Sequence, residues 1–204
     1  MDFIKLMNER RSVNYFDKNK KLGNDLLKKI IDLAVLAPSA FNLQPWRIII
    51  VKSETSKKKL YQLSNQQIKV LEASANALII GKKDAWSESN PVWNEMLNTF
   101  GNKDIVEKSK KAAEFLYGET EEKKIKFAVS NASLLAMSIM LAAKEYGVDT
   151  HPMSGIDVDG IHKEFELKHD EVVVMNIAMG YFDKNKILYS RRPRIMFENV
   201  VTIV

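Results

Sequence analysis

The sequence of 204 residues contains no cysteine. This absence excludes disulfide bonds, thiolate zinc sites, cysteine-ligated iron–sulfur clusters and a cysteine nucleophile. A chain without cysteine fits a reducing compartment, so we expect a cytoplasmic protein. Any redox activity of the chain must then belong to a bound cofactor.

Several familiar catalytic motifs are also missing. The sequence has no Gly-x-Gly-x-x-Gly, no phosphate-binding Gly-x-x-x-x-Gly-Lys-Ser/Thr, no Gly-x-Ser-x-Gly and no His-Glu-x-x-His. Its three histidines, His151, His162 and His169, are eleven and seven residues apart and lack the i, i+4 spacing of a helical metal pair. We therefore predict no metal site and interpret the histidines as structural or surface residues.

Targeting signals and membrane spans are not apparent. Asp2 and the charged residues 9–11 precede any long apolar run, so the N-terminus does not resemble a signal peptide. The most apolar stretch, residues 132–143, contains two serines and is shorter than the roughly 20 residues that span a bilayer. We predict a buried helix there and no membrane partner.

The composition is that of a folded chain with an excess of positive charge. Hydrophobic residues make up 46%, which excludes disorder as the main state, and the length favours one domain over residues 1–204, with two small domains as the alternative. The net charge of +5 favours an anionic partner: nucleic acid, an acidic membrane surface, or a phosphorylated cofactor or substrate. The lysines are interspersed with acidic residues and do not form a basic aromatic face, so we do not expect nucleic-acid binding.

Apolar spacing predicts the main elements. A helix begins with Asn24 as its cap and is stopped by Pro38, and residues 123–146 form a buried helix of about 24 residues, roughly 36 Å long. Its small residues let another helix approach, from the same chain or from a second copy. Continuous apolar runs at 46–51, 77–81 and 171–180 predict strands covered on both faces.

Residues 85–122 differ from their surroundings because they mix aromatic residues with Asn, Ser, Lys and Glu. They predict two short helices broken near Gly101, an excursion over a site instead of a separate domain.

The first candidate cluster for chemistry lies near the N-terminus. Arg10, Arg11 and Ser12, followed by Asn14, place two guanidinium groups beside a hydroxyl. The planar donor fork of arginine suits a phosphate dianion. A solvated helix end would show the same residues.

The second cluster is the string Pro38-Ser39-Ala40-Phe41-Asn42-Leu43-Gln44-Pro45-Trp46. Its two prolines, seven residues apart, fix a rigid helix-to-strand loop, and the polar side chains between them exceed what a turn requires. The alternative is an ordinary turn that packs Trp46.

The third cluster is His151-Pro152-Met153-Ser154-Gly155-Ile156-Asp157. Gly155 permits close backbone approach to a ligand, and Asp157 is positioned to cap a helix. A simple helix-capping loop would look alike. A late basic segment, Arg191-Arg192-Pro193-Arg194, adds anion-binding capacity, unless it is only a charged tail.

Together these four segments resemble the flavin-dependent nitroreductase family of FMN oxidoreductases, over nearly the whole chain. The resemblance implies an α+β fold of three layers, with a central mixed or antiparallel sheet flanked by helices, in an intertwined homodimer. It also implies a cofactor-binding set: Arg10, Arg11, Ser12, Asn14, Pro38, Ser39, Ala40, Asn42, Gln66, Lys69, Met153, Ser154, Gly155, Arg191 and Arg192.

The roles within that set follow from the same resemblance. The early and late arginines would hold the FMN phosphate, while Ser39, Ala40 and Asn42 of the opposite subunit line the ring. The backbone N–H groups of Ser154 and Gly155 would face N5 and O4. Gln66 and Lys69 would contact the pyrimidine edge, where a cation stabilises negative charge on the reduced ring. Position 14 is asparagine where many members have a cation, and Ser154 stands where some have an acid.

The resemblance implies hydride transfer from NADH or NADPH to FMN N5, followed by reduction of a nitroaromatic, quinone or similar acceptor in a ping-pong mechanism. No residue is expected to act as a catalytic acid, base or nucleophile. Phe41, Trp93, Phe115 and Tyr117 are candidates for the acceptor pocket, although each equally fits local core. The alternatives are reductive dehalogenation, flavin fragmentation, or flavin binding without turnover.

Overall fold

A four-stranded antiparallel sheet forms the centre of the computed structural model, which describes residues 2–204. Its strands are β1 (Trp46–Val51), β2 (Ala75–Lys82), β3 (Asp149–Met153) and β4 (Glu171–Gly180), in the order β1-β2-β4-β3. The three strands predicted from apolar runs are confirmed. β3 was missed, because its sequence is mostly polar and contains Pro152; it is an edge strand, where a proline is tolerated.

Helices cover both faces of the sheet. Their bounds are α1 Phe3–Glu9, α2 Asn24–Ala34, α3 Glu54–Gln62, α4 Lys69–Glu72, α5 Val92–Phe100, α6 Lys103–Ala113, α7 Glu121–Glu145, α8 Val158–Glu164 and α9 Phe197–Val200. On β2, Ala77 and Ile79 face α2 and α7, whereas Leu78 and Ile80 face α3, α4 and α8. This alternation buries both faces of β2, so helix, sheet and helix form the predicted three layers.

α7 is the central helix and has 25 residues, close to the predicted length. Ala132 and Ala136 are fully buried and belong to the same core cluster as Ile30 and Ala34 of α2, so the close helix partner comes from the same chain. By length and composition α7 is able to cross a membrane, unlike the shorter stretch considered above, with a mean hydropathy of 1.6 over its most apolar window. Half of that window is buried inside the structure. A buried core helix can have the same length and hydropathy as a membrane-spanning helix.

The excursion at 85–122 contains the two expected helices, α5 and α6. Gly101 ends α5 with a φ of +62°, a left-handed conformation that glycine adopts without strain. The Asn102 side chain then accepts the N–H groups of Asp104 and Ile105 at the start of α6. A single π-helical turn at Glu114–Gly118, which the sequence pattern did not indicate, joins α6 to α7.

The start of α2 corrects one detail of the sequence analysis. Gly23 is the N-cap and Asn24 is the first helical residue. The Asn24 side chain instead accepts a hydrogen bond from Lys52 Nζ at 2.7 Å. The expected cap of α8 is confirmed, because the Asp157 carboxylate accepts the N–H of Gly160 at 2.9 Å.

Candidate functional site

The two arginine segments at opposite ends of the chain lie together around one cavity of about 410 Å³. No carboxylate is among the residues that line it. The lining residues are Arg10, Arg11, Ser12, Asn14, Ile187, Leu188, Tyr189, Ser190, Arg191, Arg192 and Arg194. The structure thus joins the first and last clusters that the sequence analysis selected.

Backbone carbonyl groups hold the C-terminal segment in this position. Arg191 Nη2 donates to the carbonyl oxygens of Met7, Asn8 and Arg10 at 3.1, 2.9 and 2.6 Å. Carbonyl groups at the end of α1 lack helical partners and carry partial negative charge, so a guanidinium suits them. Arg11 donates in the same way to the carbonyl of Tyr189.

Arg10 is the most perturbed member of the cluster. Burial lowers the pKa of its guanidinium, and the charges of Arg191, Arg194 and Arg11 lower it further. Its Nε is buried and has no hydrogen-bond partner among the described residues. An unpaired buried donor in a cluster of like charges is costly, unless an anion binds there. The FMN phosphate, a group of charge about −2, fits both the donors and the charge.

A second polar group adjoins this cavity at Asn14. Lys69, at the start of α4, places its Nζ 3.1 Å from Asn14 Oδ1 and 3.2 Å from His151 Nε2. The other ring nitrogen, His151 Nδ1, is 3.0 Å from the carbonyl oxygen of Val13. The ammonium of Lys69 therefore lies beside position 14, where the sequence has asparagine in place of the cation that the resemblance leads us to expect.

The loop after β3 lies against the segment that precedes α4. Asn65 Nδ2 donates to the Gly155 carbonyl at 3.0 Å, and the Asp157 N–H donates to the Leu63 carbonyl at 2.7 Å. Asn65 and Gln66 have left-handed φ values of 49° and 52°. Ser154 and Gly155 are exposed, so a ligand can reach their backbone. The Met153–Gly155 and Gln66–Lys69 candidates are thus brought side by side.

The loop that follows α2 is strained. Phe41, Asn42 and Gln44 have φ values of 50°, 56° and 48°, which side-chain-bearing residues seldom adopt. Such strain is concentrated at functional sites. The loop is held by Asn131 of α7, whose Oδ1 accepts the Ala40 N–H at 2.9 Å, and by the Ser39 hydroxyl, which accepts the Gln44 N–H. No hydrogen bond in the described chain joins this loop to the arginine cavity.

The four aromatic candidates differ in burial: Trp93 is buried, Phe115 is exposed, and Phe41 and Tyr117 are half-buried. Trp93 is only 2% exposed, packs in a core cluster with Phe127 and donates from its indole to the Ser87 carbonyl. It therefore fits the local-core alternative. Phe115 is 65% exposed. Phe41 is half-buried and has Trp93 and Tyr117 as ring neighbours, both at 6.3 Å, so the excursion packs on the strained loop.

Sequence reasoning missed Asn131, His151 and Tyr189. An asparagine in the middle of a long apolar helix was a usable signal for Asn131, because a buried amide needs partners. His151 belongs to the third candidate cluster, but the sequence assigned it no role in binding. Tyr189 contributes its backbone carbonyl, for which the side chain gives no signal.

Comparison with known proteins gives a consistent result. The model of the "Nitroreductase family" matches residues 7–181. The chain is 35% identical over 195 residues to MhqN of Bacillus subtilis (strain 168), which carries the provisional name NAD(P)H nitroreductase, and the match covers 95% of this chain and 93% of MhqN.

Two solved structures are similar over their full length. The provisionally named nitroreductase ydfN of Bacillus subtilis has a TM-score of 0.92 and 33% identity, with 100% of this chain and 99% of that chain covered. A provisionally named nitroreductase of Exiguobacterium sibiricum, solved in complex with FMN, has a TM-score of 0.83 and 26% identity, with 99% and 97% covered.

Proposed function

The chain belongs to the nitroreductase family of oxidoreductases, and we propose that it is an NAD(P)H-dependent FMN enzyme that reduces a nitroaromatic, quinone or similar acceptor. The observation that carries the proposal is the arginine cavity with the unpaired Nε of Arg10. When bound, FMN supplies the hydride-transfer chemistry, and the protein supplies binding and electrostatics.

Each group of candidate residues would bind a different part of FMN. Arg10, Arg11, Ser12 and Arg191, with Arg192, hold the phosphate by charge-assisted hydrogen bonds. Lys69 places a positive charge beside Asn14, and with Gln66 it would contact the polar edge of the ring. Ser154 and Gly155 are exposed after the buried Met153, and their backbone N–H groups would be donors for the flavin ring. We propose that residues 1–204 form a single domain. This domain would provide the whole phosphate-binding site and one side of the site for the flavin ring.

Visible spectroscopy tests the proposed activity. Purified protein, or apoprotein titrated with FMN, is expected to bind one FMN per chain. Anaerobic NADH or NADPH is expected to bleach the bound flavin within turnover times, and a quinone or nitroaromatic to restore its colour. A protein that takes up no FMN contradicts the proposal. Tight FMN binding with only slow bleaching favours flavin binding without turnover.

We further propose that the active form is a homodimer in which Pro38, Ser39, Ala40 and Asn42 of one subunit complete the site of the other. Within one chain the strained loop has no hydrogen bond to the arginine cavity, as described above. The C-terminal residues also expose large apolar side chains, with Ile195 at 72%, Phe197 at 60% and Ile203 at 83%. Apolar patches exposed on this scale mark interaction surfaces.

Removal of residues 195–204 tests the dimer. The full chain is expected to be dimeric at micromolar concentration, because pairing buries this apolar segment. The truncated chain, which keeps every arginine of the cavity, is expected to shift toward monomer and to bind FMN more weakly. Light scattering after gel filtration measures the mass. A monomeric full chain that binds FMN normally would count against the shared site.

A further inference from the structure

His151 makes two hydrogen bonds that fix the protonation of its ring. Nδ1 lies 3.0 Å from the Val13 carbonyl oxygen, which only accepts, so Nδ1 carries the hydrogen. Nε2 lies 3.2 Å from the ammonium of Lys69, which only donates, so Nε2 presents its lone pair. Both contacts are satisfied only by the neutral ring in this one tautomer.

The environment supports the neutral form. Burial, together with the charge of Lys69, lowers the pKa of His151 to about 4, and the hydrogen bond to the Val13 carbonyl opposes this shift. A protonated ring would direct an N–H at the ammonium and add a second positive charge beside it. His151 therefore acts as an acceptor over the neutral pH range.

Lys69 has hydrogen-bonding capacity that the protein does not use. An ammonium has three N–H donors, of which His151 and Asn14 accept two. Among residues 2–204, no carboxylate forms an ion pair with Lys69, and burial lowers its pKa. Holding a half-buried cation with neutral acceptors fixes its position without cancelling its charge, and leaves one donor for a ligand.

We propose that His151 is a positioning residue that holds the Lys69 ammonium in place, directed with its full charge at the polar edge of the bound flavin. The role toward the flavin rests on the proposed function. The tautomer of His151 and its contact with Lys69 do not, since both follow from contacts within the chain. A carboxylate at position 151 would also hold Lys69, but it would neutralise the charge that the flavin edge needs.

Four variants separate positioning from charge. His151→Asn keeps a donor for the Val13 carbonyl but is too short to reach Lys69. His151→Gln brings an amide oxygen close to the place of Nε2 and is the rescue variant. His151→Glu holds Lys69 while cancelling its charge, and Lys69→Met removes the cation. His162→Gln is the matched control, because that histidine, on α8, bonds the backbone carbonyl of Lys168 and not Lys69.

The readouts are the ring ¹⁵N shifts of His151 in the apoprotein, and the midpoint potential and dissociation constant of bound FMN. We expect a neutral Nδ1–H ring at pH 7. His151→Asn and His151→Glu are expected to lower the midpoint potential in the direction of Lys69→Met, and to raise the FMN dissociation constant about tenfold, the effect of one charged hydrogen bond. His151→Gln and His162→Gln are expected to stay near wild type.

The outcomes that overturn the inference differ from those that overturn the proposed function. A wild-type potential in His151→Asn, while Lys69→Met shifts it, removes the positioning role. If Lys69→Met still binds FMN and its midpoint potential is unchanged, Lys69 does not act at the flavin edge, but the proposed function still holds. A wild-type protein that binds no FMN overturns both, even where the ¹⁵N shifts show the neutral tautomer.

Discussion

Replacing Arg10 with alanine is expected to weaken FMN binding about a hundredfold, because a buried charge-assisted hydrogen bond to phosphate contributes about 2–3 kcal/mol. Arg10 is the arginine with an unpaired buried Nε, and the cavity it lines contains no carboxylate. The loss is measured by titrating apoprotein with FMN and following the quenching of flavin fluorescence.

The stability of the apoprotein distinguishes a ligand site from a structural role. Arg10 is surrounded by the charges of Arg191, Arg194 and Arg11, which lower its pKa. The alanine substitution removes both that repulsion and the unpaired donor. The variant apoprotein is therefore expected to have a melting temperature equal to or above that of the wild-type apoprotein. Only the stabilisation by added FMN is lost.

Two further substitutions act as controls. Arg10→Lys keeps the charge but loses the planar donor fork, so its FMN affinity should fall between those of wild type and Arg10→Ala. Arg191→Ala also releases three backbone carbonyl contacts, so it should lower apoprotein stability as well as affinity. Unchanged affinity in both alanine variants would refute the phosphate site.

The elements that could be predicted from sequence are those with a strong local pattern. β4 and β1 have the predicted bounds, since continuous β-branched and apolar residues make a buried strand. β3 could not be predicted, because its pairing with β4 depends on tertiary contacts and not on its own polar sequence. The π-helical turn at Glu114–Gly118 likewise has no local pattern that indicates it.

For the site too, the residue types could be predicted from the sequence, whereas their contacts could not. Arginine clusters at both ends of the chain pointed to an anion, and the structure brings them to one cavity. Both Lys69 and Asn14 were expected at the cofactor, but their direct contact was not, because the two are 55 residues apart and meet through the packing of α4 against the N-terminal segment. The unpaired state of Arg10 is likewise a property of the fold alone.

Replacing Trp93 with alanine is expected to destabilise the protein by about 3–5 kcal/mol, the usual cost of removing a buried aromatic ring. The ring is 2% exposed, packs in a cluster with Leu43 and Phe127, and lies 6.3 Å from Phe41. The space left by the missing ring would also remove a packing neighbour of Phe41, whose left-handed φ of 50° needs support from its neighbours. Urea unfolding of the apoprotein measures the loss.

Phe115→Ala is the matched comparison, because that ring belongs to the same excursion but is 65% exposed. Its removal is expected to change stability by less than about 0.5 kcal/mol, as is usual at exposed positions. Trp93→Phe, which refills most of the space but loses the bond to the Ser87 carbonyl, should cost less than Trp93→Ala. If Trp93→Ala instead altered the KM for the acceptor with little loss of stability, Trp93 would line the acceptor pocket, and its assignment to the core would be wrong.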